Sequence, residues 1–214
     1  MLRVGLTGGI ATGKTTVVAM LRELGCQVLE ADKIAHRMIE PGGEAYDGVV
    51  REFGSGILTP DGFVDRAKLG AIVFADPKRL ARLNEIVHPP VLAEQVRQLT
   101  AIERADSHAI AVVEAALLIE AGFHKQLDCL VVTWCTPEQQ LARLTKQRAG
   151  RRLTIEQARQ RIAAQMPVDE KRRMADEVID CSGPMEHTRT QVNALFAKLK
   201  QLEAGHAKES RARM

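Results

Sequence analysis

Residues Gly8-Gly9-Ile10-Ala11-Thr12-Gly13-Lys14-Thr15 fit the pattern G-x-x-x-x-G-K-[ST]. This pattern constrains the fold because its chemistry requires a strand before it and a helix after it. Both flanks comply. Leu2–Leu6 is a short apolar run that leads straight into the glycines. Lys14–Leu24 carries apolar residues at helical spacing (Val17, Val18, Leu21, Leu24), with Gly25 placed to close the helix. Glycines let the backbone curl so that its N–H groups face phosphate oxygens, and the helix presents its positive end to the same anion. Lys14 adds a mobile charge for the β- and γ-phosphates, and the Thr15 hydroxyl is a ligand for Mg²⁺. The predicted nucleotide-contacting set is Gly8, Gly9, Ala11, Thr12, Gly13, Lys14, Thr15 and Thr16, with ATP and Mg²⁺ as the implied ligands. Such a loop marks a triphosphate site and leaves the reaction open.

The rest of the chain supplies the matching frame. Cys26–Glu30, Ala109–Val113, Leu127–Cys135 and Glu177–Cys181 read as further strands, and Pro137–Gln147 and Met185–Leu202 as helices. Continuous apolar strands alternating with helices predict a five-stranded parallel sheet covered on both faces, the α/β three-layer fold of P-loop proteins. Asp32–Arg104 is too long for a simple crossover and is mostly helical in pattern. It is expected to be an inserted unit at one edge of the sheet. Thr59-Pro60-Asp61-Gly62 predicts a turn within it, and Arg79–Arg104 a long helix broken near Pro89-Pro90. The expected division is a core of 1–31, 105–142 and 174–203, a helical insert at 32–104, a further segment at 143–173 and a frayed charged tail at 204–214.

Composition excludes several classes. A net charge of +3 and 3% aromatics do not suit a nucleic-acid binder, which needs basic stripes and stacking platforms. Apolar runs are strand-length, too short for a membrane span. Cys26, Cys129, Cys135 and Cys181 form no C-x-x-C pair and read as buried thiols in a reducing compartment. A cytoplasmic protein, monomeric or weakly self-associating, is expected. A GTPase is disfavoured, because Thr145-Lys146-Gln147-Arg148 lacks the guanine-reading aspartate and Asp180-Cys181-Ser182-Gly183 falls too late in the chain. A small-molecule kinase remains, and it needs an acceptor pocket, a base and a cover that excludes water.

Asp32 follows the second strand, where ligands gather in open parallel sheets. It reads either as the base for an attacking hydroxyl or as the N-cap of a helix starting at Lys33. His36 lies one turn on and reads as a pocket residue or a structural histidine. Glu114, ending the third strand, reads as a group holding the metal shell through water or as a strand-end charge, and Glu120 reads similarly. Arg148–Arg173 is basic enough for a lid, with Arg148 and Arg152 near Gly150 as candidates to meet phosphate oxygens.

These features resemble, in order, the dephospho-CoA kinase family from about Leu2 to Leu202. The resemblance rests on Gly5–Thr15, on Glu30-Ala31-Asp32 followed by Ile34-Ala35-His36, and on Asp65-Arg66 with Leu69 and Val73-Phe74. It continues through Leu83-Asn84 and His88-Pro89, Leu117–Glu120, Gln165-Met166, Lys171 and Ala175-Asp176. It implies transfer of the ATP γ-phosphate to the ribose 3′-hydroxyl of dephospho-CoA, with Asp32 as base, residues 32–104 as the substrate-binding insert that holds the acceptor, residues 143–173 as a lid, and Arg66 and His88 on the substrate side. Arg66 also reads as a turn pin, and His88 as a helix-break residue. Another small-molecule or nucleoside monophosphate kinase, or a non-catalytic nucleotide-binding module, are the alternatives. The chain departs from the family pattern at Ala11-Thr12, where Gly-Ser is common, at Ala116 and Ile119, and at Cys181, where an asparagine is frequent near the adenine pocket.

Overall fold

The structure, a computed structural model, describes residues 1–146 and 153–212, the last seven as backbone only. The chain divides into two compact units, Met1–Leu29 with Ala101–Met214, and Glu30–Thr100.

The first unit is built on a five-stranded parallel sheet. Its strands are β1 (Leu2–Gly8), β2 (Gln27–Glu30), β3 (Ile110–Glu114), β4 (Cys129–Trp134) and β5 (Glu177–Asp180). They lie in the order β2-β3-β1-β4-β5. β1 is central, pairing Leu6 with Glu114 of β3 on one side and Gly8 with Thr133 of β4 on the other. All five residues of β3 are buried, as expected for strands covered on both faces. On one face, Leu2, Val4 and Leu6 pack with Val17 and Leu21 of α1 (Lys14–Glu23) and with Val192, Leu195 and Leu199 of α9 (Met185–Ala212). The other helices of this unit are α6 (Pro137–Thr145), α7 (Ile155–Ala163) and α8 (Val168–Arg173). Capping boxes Thr136/Gln139 and Thr154/Gln157 start α6 and α7, each side chain satisfying one otherwise orphaned amide.

The second unit holds α2 (Ala31–Met38), α3 (Tyr46–Phe53), α4 (Arg66–Val73) and most of α5 (Pro77–Ala105). Its own core contains Ile34, Val49, Ile57, Leu69, Val73 and Val91. The turn predicted at Thr59–Gly62 is present: the Gly62 N–H donates to Thr59 O at 3.0 Å, and Gly62 has φ +82°.

Two expectations about helices are corrected. α5 runs unbroken through Pro89 and Pro90. Proline's fixed φ is helical, so its cost inside a helix is the missing amide bond and crowding of the preceding turn. Buried Val87 and Val91 flank the pair and oppose a break. At the other end, α9 extends to Ala212, past Leu202 where the sequence pattern ended it. No helix among the described residues is long and apolar enough to cross a membrane.

Candidate active site

β1 delivers the chain into the glycine loop at the centre of the sheet, and α1 begins at Lys14 directly after it. Gly13 is the N-cap of α1, with φ +108°. A β-carbon there would sit 2.8 Å from Cys181 Sγ, so the position needs glycine for both conformation and space. Thr12 is fully buried, and its hydroxyl bonds Gly9 O at 2.9 Å and the Thr133 hydroxyl of β4 at 2.7 Å. The threonine thus keeps a hydroxyl at the place where serine is common in the resembled family. The Thr16 N–H donates to Gly13 O, the first bond of the helix. Thr15 is exposed at the first turn. Lys14 Nζ curls over the loop, 3.2 Å from Gly8 O and 3.1 Å from Gly9 O.

Ala11 has φ +62°, the one described non-glycine residue in the left-handed region. Its conformation is imposed from outside: Arg143 Nη1 donates to its carbonyl at 3.1 Å while Nη2 donates to Cys181 O at 2.6 Å. A left-handed backbone costs an alanine about 1–2 kcal/mol, against roughly 0.5–1 kcal/mol of extra unfolded-chain entropy for glycine. Ala11→Gly is therefore expected to raise stability by about 0.5–1 kcal/mol. A urea midpoint that moves upward with unchanged slope would show it, and a downward shift would mean that the loop is not strained there.

Three side chains hold this loop that the sequence reading did not place there, although Gln165 is among the residues carrying the family resemblance. Gln140 Nε2 of α6 donates to Ile10 O at 2.8 Å, Gln165 Oε1 accepts from Ile10 N at 2.8 Å, and Arg143 makes the clamp just described. Gln140 is 3% exposed. A buried glutamine one turn into a predicted helix was a usable sign, but its partner lies 130 residues away and no spacing rule reaches it.

Cys181 packs under Gly13, and burial pushes its thiol up to about 11. All four cysteines are free and buried, as expected. Cys181 is therefore a packing group beneath the loop, and its side chain offers the nucleotide no charge.

Glu114 ends β3 opposite Leu6, 8% exposed, on the strand beside the one that feeds the loop. Glu120 has a different role from the metal-shell reading. Lys171, fully buried, places Nζ 2.8 Å from Glu120 Oε1 and 2.6 Å from Ala116 O, and the Met166 N–H donates to Glu120 as well. The carboxylate is occupied as an anchor for the start of α8. Lys171 of the basic segment is thus buried in an ion pair, whereas Arg148 and Arg152 lie outside the described residues.

In the second unit Asp32 is the second residue of α2, exposed, with Glu30 at the N-cap. The N-cap reading of Asp32 is thereby corrected: the helix begins two residues earlier than the sequence suggested. Arg66, the first residue of α4, lies 3.0 Å from His36 Nδ1 through Nη1. Burial first, and the Arg66 charge second, hold His36 below the usual histidine range, so the ring is neutral and accepts that bond near pH 7. His88 sits mid-α5, its pKa also lowered by burial, and bonds to neither of them among the described residues.

Hard oxygen donors suit Mg²⁺, which takes one or two protein oxygens plus substrate phosphates. An exposed Thr15 hydroxyl at the helix start and a carboxylate at the end of the neighbouring strand fit that requirement.

Against known proteins, the model of the family "Dephospho-CoA kinase" matches residues 2–187. A dephospho-CoA kinase of Symbiobacterium thermophilum is 49% identical over 193 residues, covering 90% of this chain and 79% of that protein. One of Geobacillus kaustophilus is 44% identical over 203 residues, covering 95% and 98%. A crystal structure of a Thermus thermophilus protein aligns with a TM-score of 0.77 at 32% identity, covering 92% of this chain and 97% of that one.

Proposed function

Because the chain belongs to the dephospho-CoA kinase family, we propose that Asp32 takes the proton of the acceptor hydroxyl while the Gly8–Thr15 loop holds ATP. The protein is an ATP-dependent kinase that phosphorylates dephospho-CoA in coenzyme A biosynthesis. The finer steps are our reading. The oxygen of the ribose 3′-hydroxyl attacks the γ-phosphorus, the bond from that phosphorus to the β–γ bridging oxygen breaks, and CoA and ADP result. Asp32 accepts the hydroxyl proton. Amides of the loop and the start of α1 bind the phosphates, and Lys14 follows charge as it moves onto the β–γ bridge. Thr15 would hold Mg²⁺ directly and Glu114 through water; the ion, when bound, neutralises phosphate charge. Arg148 is assigned to the transferring phosphoryl group, and His36, Arg66 and His88 to the acceptor. Such a reaction between dissolved metabolites suits a cytoplasmic monomer or weak homo-oligomer.

The observation that carries this reading is the curled Gly8–Gly13 loop with Lys14 Nζ over its Gly8 and Gly9 carbonyls, at the head of a helix. Purified protein with Mg-ATP should release ADP only when dephospho-CoA is added, on the order of 1–100 s⁻¹. Phosphorus–proton coupling in the product should place the new monoester on the ribose 3′ carbon. AMP and CMP run in parallel; good transfer to either, with none to dephospho-CoA, would refute the acceptor.

A further inference from the structure

Lys14 reaches the β- and γ-phosphates in loops of this kind, and here its Nζ stands over the carbonyls of Gly8 and Gly9. The first half of the loop, Gly8–Ile10, is therefore its γ-phosphate end. The Ile10 amide and carbonyl are both held by side chains, Gln165 at the N–H and Gln140 at the C=O, each at 2.8 Å. Gln140 comes from α6 and is buried. Gln165 is only half-buried and lies between α7 and α8, in the stretch expected to form the lid. It is nevertheless firmly mounted. The amide of the next residue, Met166, donates to Glu120, and Glu120 is fixed in turn by fully buried Lys171.

We propose that Gln165 is a positioning residue for phosphoryl transfer, linking the α7–α8 segment to the γ-phosphate end of the loop through the Ile10 amide. Gln165 holds the Gly9–Ile10 peptide by its N–H and Gln140 holds the Ile10–Ala11 peptide by its C=O, so neither of the two peptide planes at Ile10 can flip to turn a carbonyl toward the anion. A carbonyl turned inward would set a negative dipole against the γ-phosphate, and the loop would lose its shape at the end where charge moves. The link also makes the setting of the loop depend on where the α7–α8 segment stands. ADP has no γ-phosphate and should be nearly indifferent to Gln165.

This inference rests on the kinase reading, so the experiment separates the two. Gln165→Asn keeps the amide chemistry and shortens the reach by one methylene. Gln165→Glu keeps the reach and an acceptor oxygen for the Ile10 N–H. ATP and ADP affinities are measured by titration calorimetry, and turnover with dephospho-CoA by ADP release. Gln165→Asn should lower kcat by about 10- to 100-fold, the scale of a misplaced reacting group. It should weaken ATP about tenfold more than ADP. Gln165→Glu should retain kcat within about threefold while its added charge raises the KM for ATP. Wild-type kcat in Gln165→Asn, or equal losses of ATP and ADP affinity, would overturn the proposal and leave Gln165 a plain staple of the fold. A loss of kcat in Gln165→Glu as deep as in Gln165→Asn would overturn it too. Wild-type protein that binds ATP yet ignores dephospho-CoA would sink the kinase reading alone, since the ATP-to-ADP ratio still scores Gln165.

Discussion

Asp32→Asn should fold as the wild type does and lose turnover by about 10²- to 10⁴-fold, the scale of a removed general base. The substitution preserves shape and removes only the ability to accept a proton. Its structural cost is small for stated reasons. Asp32 is exposed, Glu30 and not Asp32 occupies the N-cap of α2, and no described residue donates a hydrogen bond to its carboxylate. What remains is a favourable charge in the first turn of a helix, worth about 0.3–1 kcal/mol. The urea midpoint should therefore barely move while kcat collapses, and the ADP affinity should stay within about twofold because the loop is untouched. An Asp32→Asn enzyme that turned over normally would reduce Asp32 to a helix-dipole charge, and the base would have to be sought elsewhere.

The chain order of strands and helices was legible because the inner strands β1, β3 and β4 are apolar runs, the edge strands β2 and β5 keep short apolar centres, and the helices follow a 3.6-residue pattern; these are local signals. The phosphate loop was legible for a stronger reason: its glycines and lysine are required by chemistry at fixed spacing, so Gly13 had to precede a helix start whatever lay around it. What the sequence did not disclose is long-range. Gln140, Gln165 and Arg143 bond loop atoms more than 100 residues away. Their neighbourhoods give no sign of those partners, even where Gln165 carries the family resemblance. Asp32 shows a subtler limit. An acidic residue ahead of a helical pattern signals a cap, but Ala31 is buried and itself helical, which moves the cap to Glu30. The prolines of α5 erred the other way. Local chemistry argued for a break, and flanking buried valines oppose it. Lys171 is the plainest case, a basic residue in a basic run whose burial depends on a carboxylate 51 residues earlier.

That burial sets the largest expected loss of stability. Glu120→Ala should destabilise the protein by about 3 kcal/mol, the low end of the range for leaving one partner of a buried pair uncompensated. The low end applies because Glu120 is 25% exposed, so water can reach toward the abandoned ammonium of Lys171, itself 0% exposed. Lys171→Met should cost less, about 1–2 kcal/mol, although it breaks the same bridge. The methionine fills the channel of the lysine stem with apolar matter, Glu120 can hydrate through its exposed side, and it still accepts from the Met166 amide. The main debt left is the carbonyl of Ala116, which loses a donor at 2.6 Å. The two costs should not add: once Lys171 is methionine, Glu120→Ala should remove little beyond the Met166 bond, a coupling of about 1–3 kcal/mol in a double-mutant cycle. Urea unfolding of the four proteins measures all of this. An additive cycle would mean that the pair contributes nothing as a pair. If Glu120→Ala proved as mild as Lys171→Met, the abandoned ammonium must reach water. Since Glu120 also fixes the amide beside Gln165, its alanine variant should lose turnover even where it remains folded, by about the same factor as Gln165→Asn.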